Sequence, residues 1–357
     1  MARFLCSQGL TARPRQPQSS GVKRFAVPSR ATIDDVAQLA AVSKTTVSHV
    51  LSRNRPVSSP TRERVEIAIE KLGYRPDGLA RSLRTRRTHM VALMIPDIAN
   101  PYYPPLARGL EDGAGGGYRT FVCSTDGVAG KEQEFLEEVV DRRADGIAVD
   151  SFAMTADQIA SVVPSGTAVV RIGTTVIDDP GYDTVHADDE HGAFDAVTHL
   201  VDRGHRRIAM IQGPPGAGGK RNNGYLRALQ TADITADAAL IASAEWTRAG
   251  GALAARALLE ITDRPTAIFC ANDLIALGAM DSARARGMSV PDDLSLVGFD
   301  DIEAAAMVSP ALSTVSNPAY EIGLLAGYLL RERMSGQYRD VPRTVTLPCR
   351  LIRRATA

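Results

Sequence analysis

Between Ser43 and His49 the chain reads Ser-Lys-Thr-Thr-Val-Ser-His. Lys44 offers an ammonium, Ser43, Thr45, Thr46 and Ser48 offer hydroxyls, and His49 an imidazole. None of these makes or breaks bonds by itself. Their chemistry suits donation to phosphate oxygens and to the base edges of a duplex. A second group of polar residues lies far downstream: Arg221, Asn272, Asp273 and Asp300, with the only tryptophan, Trp246. Guanidinium, amide and carboxylate groups suit vicinal hydroxyls, and a flat aromatic suits a sugar face. Asn100, Tyr102 and Tyr103 could face the same ligand from an earlier part of the chain.

Other chemistries fail on spacing. GPPGAGGKRNNG has the look of a phosphate loop, but Pro214 and Arg221 break the required pattern. GAGGGY at 113–118 follows a helix, where a dinucleotide fingerprint would follow a strand. His186, Asp188, Asp189 and His191 have metal-ligand types, yet Asp189 and Glu190 suit a helix N-terminus, and no metal is expected. No nucleophile–base motif occurs, so catalysis has no support in the sequence, and neither an enzyme nor a cofactor is expected. The four cysteines form no C-x-x-C pair, which fits a reduced, cytoplasmic chain. No apolar run approaches a membrane span.

The elements that must position the first set are short helices. Thr32 can cap a helix whose first turn holds Asp34 and Asp35, with Ile33, Val36, Ala37 and Ala40 on one face. After a break at Ala41-Val42, Ser43 can cap a second helix from Lys44 to Leu51. A third begins at Ser59-Pro60, with Ser59 as cap, buries Val65, Ile69 and Leu72, and ends at Gly73. Two short helices joined by a tight turn outline a helix-turn-helix, whose second helix enters the major groove.

Charge supports that reading. The 357 residues carry 41 basic and 41 acidic side chains, a net charge of zero. Residues 1–90 hold 17 Lys+Arg against 6 Asp+Glu, and the remainder 24 against 35. A basic head can meet a polyanion and an acidic body cannot. Six of the head's basic residues lie in residues 1–30, read as a disordered basic arm or an over-extended start of the reading frame.

From Met90 onward strands and helices alternate. Strands are expected at Met90–Ile95, Thr120–Cys123, Gly146–Val149, Ile208–Gln212, Ala267–Cys270 and Ser295–Gly298. Helices are expected at Leu106–Gly113, Lys131–Val140, Asp188–Val201, Asn223–Leu229, Gly250–Ile261 and Leu274–Arg286. That alternation means parallel sheets in two doubly wound lobes, with ligand at the carboxyl ends of the strands.

The run from Ala31 to Thr85, ATIDDVAQLAAVSKTTVSHVLSRNRPVSSPTRERVEIAIEKLGYRPDGLARSLRT, resembles the DNA-binding head of the LacI/GalR family of bacterial regulators. The resemblance continues to the C-terminus through PDIANPYYPPLARGLE, RRADGIAVD, VHADDEHGAFDAVTHLVDRGHRRIAMIQGP, CANDLIALGAM and SLVGFDDIEAAAMVSPALSTV. It implies that Lys44 and Thr45 are the main base readers. It places phosphate contacts at Thr32, Ser43, Thr46, Ser48 and Tyr74. It also implies a hinge helix in which Leu83 wedges between central base pairs while Leu79 and Ala80 touch the groove floor or the partner hinge. Most members have Gly where this chain has Ala41, Asn where it has Ser52, and Arg where it has His49. Arg reads guanine bidentately and His cannot, so the family's base preference does not carry over at that position. The family's effector contacts map onto Arg221, Asn272 and Asp300. Asp273 either touches ligand or caps its helix, and Trp246 matches an aromatic that lies against ligand in some members.

The expectation is therefore a multi-domain chain: a small all-α helix-turn-helix head and an α/β two-lobed periplasmic-binding-protein-like body. Residues 1–30 form the arm, 31–75 the DNA-binding domain, 76–87 the hinge helix and linker, and 88–357 the effector-binding and dimerisation domain. The function implied is a repressor-type transcriptional regulator. It would act as a homodimer on double-stranded operator DNA and answer to a small effector, a sugar or related metabolite. A sugar receptor without DNA function, or an enzyme on the same scaffold, are the alternatives.

Overall fold

A computed structural model describes residues 31–52, 55–74, 87–151, 154–173, 181–214 and 218–357. The chain divides into two compact units between Ala80 and Arg81. That boundary falls in the segment expected to form the hinge. Leu79, Ala80 and Leu83 lie outside the described residues.

The first unit is built from α1 (Ile33–Leu39), α2 (Lys44–Ser52) and α3 (Ser59–Leu72). Val36, Ala37, Ala40, Val47, Val50, Val65 and Ala68 form its core, with Ile33, Leu51, Ile69, Leu72 and Tyr74 packed around it. Thr32 and Asp35 close a reciprocal capping box. The Asp35 amide donates to Thr32 Oγ1 at 3.3 Å, and the Thr32 amide to Asp35 Oδ2 at 2.8 Å. Ser43 caps α2 by accepting from the Thr46 amide at 3.1 Å. The cap of α3 is Ser58, not Ser59 as the sequence suggested. Pro60 tolerates either of the first helical positions, so the start slides back one residue. Gly73 ends the helix in the left-handed conformation. Ala41, between α1 and α2, takes φ 54°, a conformation that costs a residue with a Cβ about 1–2 kcal/mol.

The second unit has two lobes. The first is a six-stranded parallel sheet of β1 (Met90–Ile95), β2 (Arg119–Ser124), β3 (Gly146–Asp150), β4 (Ala168–Ile172), β5 (Asp183–Ala187) and β11 (Thr344–Leu347), in the order β11-β5-β4-β3-β1-β2. Its helices are α4 (Tyr103–Ala114), α5 (Ala129–Asp141), α6 (Ala156–Val162) and α12 (Ala319–Ser335). The second lobe is a parallel sheet of β6 (Ile208–Gln212), β7 (Ile241–Ser243), β8 (Ala267–Cys270) and β9 (Ser295–Val297), in the order β7-β6-β8-β9. With it come α7 (Asp189–Asp202), α8 (Gly219–Thr231), α9 (Arg248–Glu260), α10 (Asp273–Ala285) and α11 (Glu303–Met307). A short antiparallel pair joins β10 (Thr314–Ser316) to β12 (Arg350–Ile352).

The chain thus passes between lobes three times: after β5, after β10, and between β11 and β12. The return of α12 and β11 to the first lobe lies outside the elements the sequence pattern predicts. α12 packs against α4 with almost no side chain between them. A Cβ on Gly109 would lie 2.1 Å from the Tyr320 carbonyl, and one on Gly323 2.0 Å from that of Leu106. Asp183 fastens the returning segment. Its buried carboxylate accepts from Arg333 at 2.7 and 2.9 Å and from the Arg343 side chain at 2.9 Å. Burial opposes the ionised form of Asp183, but the two guanidiniums outweigh it and hold its pKa below the ordinary carboxylate value. Among the described residues no helix is long and apolar enough to cross a membrane.

Candidate functional site

In the first unit, Ser43, Lys44 and Thr45 stand exposed at the start of α2, and Thr46, Ser48 and His49 are half-buried along it. Val47 and Val50 point into the core, so they fix which face of α2 looks outward. Thr32 is exposed at the start of α1, while Tyr74 is half-buried against the three-helix core. Lys44 has a partner in the protein: its Nζ lies 2.5 Å from Asp34 Oδ1.

In the second unit, each polar residue singled out sits just past the carboxyl end of a strand, where doubly wound sheets bind ligands. Asn100, Tyr102 and Tyr103 follow β1. Arg221 is in the first turn of α8, after β6. Trp246 follows β7, Asn272 and Asp273 follow β8, and Asp300 follows β9.

Arg221 is the centre of this array. Its Nη1 donates to the Ala271 carbonyl. Its Nη2 donates to Asp300 Oδ1 at 3.2 Å. Its Nε lies 3.4 Å from Asp189 Oδ2, and the guanidinium plane sits 3.8 Å from the centre of the Phe299 ring. Asp300 also accepts from Asn317 Nδ2 at 3.1 Å, and Tyr102 OH donates to Asn317 Oδ1 at 3.4 Å. One chain of polar contacts therefore runs from Tyr102 in the first lobe to Arg221 in the second.

Burial sets the protonation of the acids. It pushes Asp300 up to about 6 although Arg221 and Asn317 pull the other way. Asp150, at the end of β3, is pushed up to about 7, again mainly by burial, against a hydrogen bond from Tyr103. For Arg221 burial alone would lower the pKa, but the Asp189 and Asp300 carboxylates raise it, so the guanidinium stays charged. Asp189 Oδ1, Asn222 Oδ1 and Arg221 Nε are buried with no hydrogen-bond partner among the described residues. Buried polar atoms are normally satisfied, so Arg221 Nε and the neighbouring Asp189 Oδ1 are candidate contacts for a polar ligand.

Two residues have structural work. Asn272 Oδ1 caps α10, accepting from the Ile275 amide at 2.8 Å, which leaves its amide nitrogen as the end a ligand could use. Asp273 is fully buried. It accepts from the Ile302 amide at 2.8 Å and from Thr314 Oγ1 at 2.5 Å. Neither alternative expected for Asp273 describes that arrangement: the cap is Asn272, and Asp273 ties the loop carrying Asp300 to β10. We therefore remove Asp273 from the ligand set. Trp246 lies over the loop after β6, where a Cβ on Gly213 would stand 2.1 Å from its ring.

Asp150, Asp189 and Asn317 are not among the ligand groups expected from the sequence. Asp150 ends the string RRADGIAVD, and its place at a strand's carboxyl end was the signal. Asp189 suits the dipole of α7, which is reason enough for an acid at that position. Asn317 carried no signal, because β10 itself was not recognised. His186 and Asp188 serve elsewhere. The His186 ring meets Thr346 Oγ1 at 3.1 Å, and Asp188 caps α7.

Two family models match the chain: "Bacterial regulatory proteins, lacI family" at residues 32–77 and "Periplasmic binding protein-like domain" at residues 197–357. The chain is 37% identical to catabolite control protein A of Priestia megaterium, covering 90% of this chain and 97% of that protein. It is 34% identical to the transcriptional repressor CytR of Escherichia coli strain K12, covering 86% and 91%. Among solved structures it resembles the lac repressor dimer bound to operator and the anti-inducer ONPF. The TM-score is 0.82 at 25% identity, over 92% of this chain and 99% of that one. It also resembles a complex of the regulator CelR with cellobiose, with a TM-score of 0.68 at 30% identity, over 92% and 100%.

Proposed function

The chain belongs to the LacI family of bacterial regulatory proteins, and from that premise we propose how its two units divide the work. It is a DNA-binding transcriptional regulator of the repressor type, controlled by a small effector. Operator DNA, an effector and a second copy of the chain are its partners. The head, residues 31–75, binds DNA. Lys44 and Thr45 read base edges, His49 adds to the reading, and Thr32, Ser43, Thr46, Ser48 and Tyr74 hold phosphates. Residues 76–87 form the hinge, with Leu83 as wedge and Leu79 and Ala80 beside it. Residues 88–357 bind effector and dimerise.

The observation that carries this reading is the setting of Arg221. A charged guanidinium, unsatisfied polar atoms and carboxylates converge between two lobes, in a chain whose other unit is a helix-turn-helix. Asn100, Tyr102, Tyr103, Arg221, Trp246, Asn272 and Asp300 bind the effector, joined by Asp150, Asp189 and Asn317. The ligand is a neutral polyhydroxy compound, a sugar or related metabolite. The guanidinium charge is already balanced by Asp189 and Asp300, so no anion is called for; carboxylates accept from hydroxyls and the Asn272 amide nitrogen donates to them. The relatives named above are regulators rather than enzymes, and we propose no catalytic role.

Effector contacts on both lobes favour one lobe arrangement over another. Operator affinity then shifts by the difference in ligand binding between the two, typically about 1–3 kcal/mol. The test is a gel shift of the full chain on duplexes selected from a random pool, repeated with candidate sugars identified by thermal shift. A sequence-selective complex whose affinity changes with one sugar is expected. Binding of a sugar without any selective DNA complex would favour the receptor reading instead.

A further inference from the structure

Asp34 stands in the first turn of α1, where an acid suits the helix dipole, but the dipole does not account for the partner it chooses. The other acid in the first turn of α1, Asp35, is committed to the capping box with Thr32. Asp34 instead reaches across to the adjacent helix, where its Oδ1 lies 2.5 Å from Lys44 Nζ. Both side chains are more than half exposed. A pair so open to water adds little to stability. Lys44 is moreover the first residue of α2, the end of a helix where a cation is disfavoured by the peptide dipoles. The same end of the unit carries Thr32 and Ser43, so a carboxylate there would stand close to backbone phosphates and repel them.

We propose that Asp34 is a specificity-determining residue, reading one G·C pair per half-site together with Lys44. In the major groove guanine presents O6 and N7 as acceptors, and cytosine presents its N4 amino group as a donor. An ammonium matches the first and a carboxylate the second. O6 and N4 of one pair are themselves hydrogen-bonded, about 2.9 Å apart. Lys44 Nζ and Asp34 Oδ1 stand at nearly that spacing before DNA arrives. Lys44 donates to guanine while Asp34 accepts from the cytosine opposite, and the contact between the two side chains is kept. An A·T pair offers thymine O4 where Asp34 needs a donor, so it is rejected by repulsion as well as by lost contact. Asp34 is thus a negative charge held at a DNA surface for discrimination, at the expense of general affinity.

The inference rests on the reading of Lys44 as a base reader, and the variants separate the two. Full-length protein and the variants D34N, D34E, K44M and the double variant D34N/K44M are each run through selection from a random duplex pool, followed by titration of the selected duplex and of a scrambled one. Helix content by circular dichroism confirms folding. D34N is expected to lose about tenfold in discrimination at one G·C position, with scrambled-duplex affinity equal or higher. D34E retains the preference in part. In the K44M background the D34N change has no further effect at that position. If K44M alters the preferred sequence and D34N does not, the role of Asp34 is overturned while that of Lys44 stands. If D34N tightens binding to both duplexes equally, Asp34 is only a repulsive charge and the proposal fails. If K44M leaves the preferred sequence unchanged, the reading of Lys44 fails first and the proposal with it.

Discussion

The face of α2 and the cleft around Arg221 both gather polar side chains, but in opposite settings. On α2, Lys44 and Thr45 stand exposed, and among the described residues the ion pair of Lys44 with Asp34 is exposed on both sides. Around Arg221, the carboxylates, amides and guanidinium are buried and tied to one another. The first surface can change its sequence without disturbing the fold beneath it. The second is bound into the fold, because Arg221, Asp300 and Asn317 hold one another. On the proposed assignments, the groups that read DNA are separable from folding, whereas those that bind effector are not.

The sharpest way to break that contrast is to remove the central cation. Arg221→Ala leaves Asp189 and Asp300 facing each other without compensation, a loss of about 3–5 kcal/mol for a broken buried pair. The effector response should vanish and the melting temperature of the body should fall. An unchanged melting temperature would show the cleft to be as tolerant as α2.

A smaller effect should follow Asp150→Asn. The folded carboxyl titrates at about 7, well above its value in an unfolded chain, so the native state holds the extra proton. Unfolding stability from this group therefore falls as pH rises from about 4 through about 7. Asparagine removes that penalty while its carbonyl can still accept from Tyr103. The variant should be stabilised by on the order of 1–3 kcal/mol at pH 8 and by clearly less at pH 5. Denaturant melts at the two pH values check this, and equal shifts at both would refute it.

The smallest change belongs to the head. Ala41→Gly relieves a left-handed alanine and should stabilise the helix-turn-helix by up to about 1 kcal/mol, without moving operator preference. A shifted preference would mean that folding and reading are coupled there after all.

How far the sequence carried depended on the kind of burial. The strands Met90–Ile95, Ile208–Gln212 and Ala267–Cys270 were placed to the residue, because unbroken apolar runs between lobes of helix leave little choice. The edge strand β11 was not, since its residues alternate between exposed and half-buried and it is only four long. α12 is not among the expected helices; its Gly323 and Gly327, costly inside a helix, are the points at which its backbone meets α4. In the cleft, Arg221 and Asp300 were legible from their place beside strand ends. The bond between them was not, because it joins residues 79 apart in sequence. Asp273 shows the reverse error: its type and position suited a ligand contact, and only the surrounding amide and hydroxyl reveal a loop anchor.

The three crossings between lobes run side by side. The Asp188 amide, on the first, donates to the Leu347 carbonyl, at the start of the third, at 2.8 Å. A Cβ on Gly192, one turn into α7, would stand 2.7 Å from Cys349, on the third, and 2.9 Å from Val315, just ahead of the second. Three short tethers in contact behave like a strap hinge. They bend together about a shared axis, while sliding one lobe past the other would stretch some and slacken the rest. Such a strap favours bending over sliding, so a ligand that bridged Tyr102 and Arg221, as proposed, would act on the angle between the lobes.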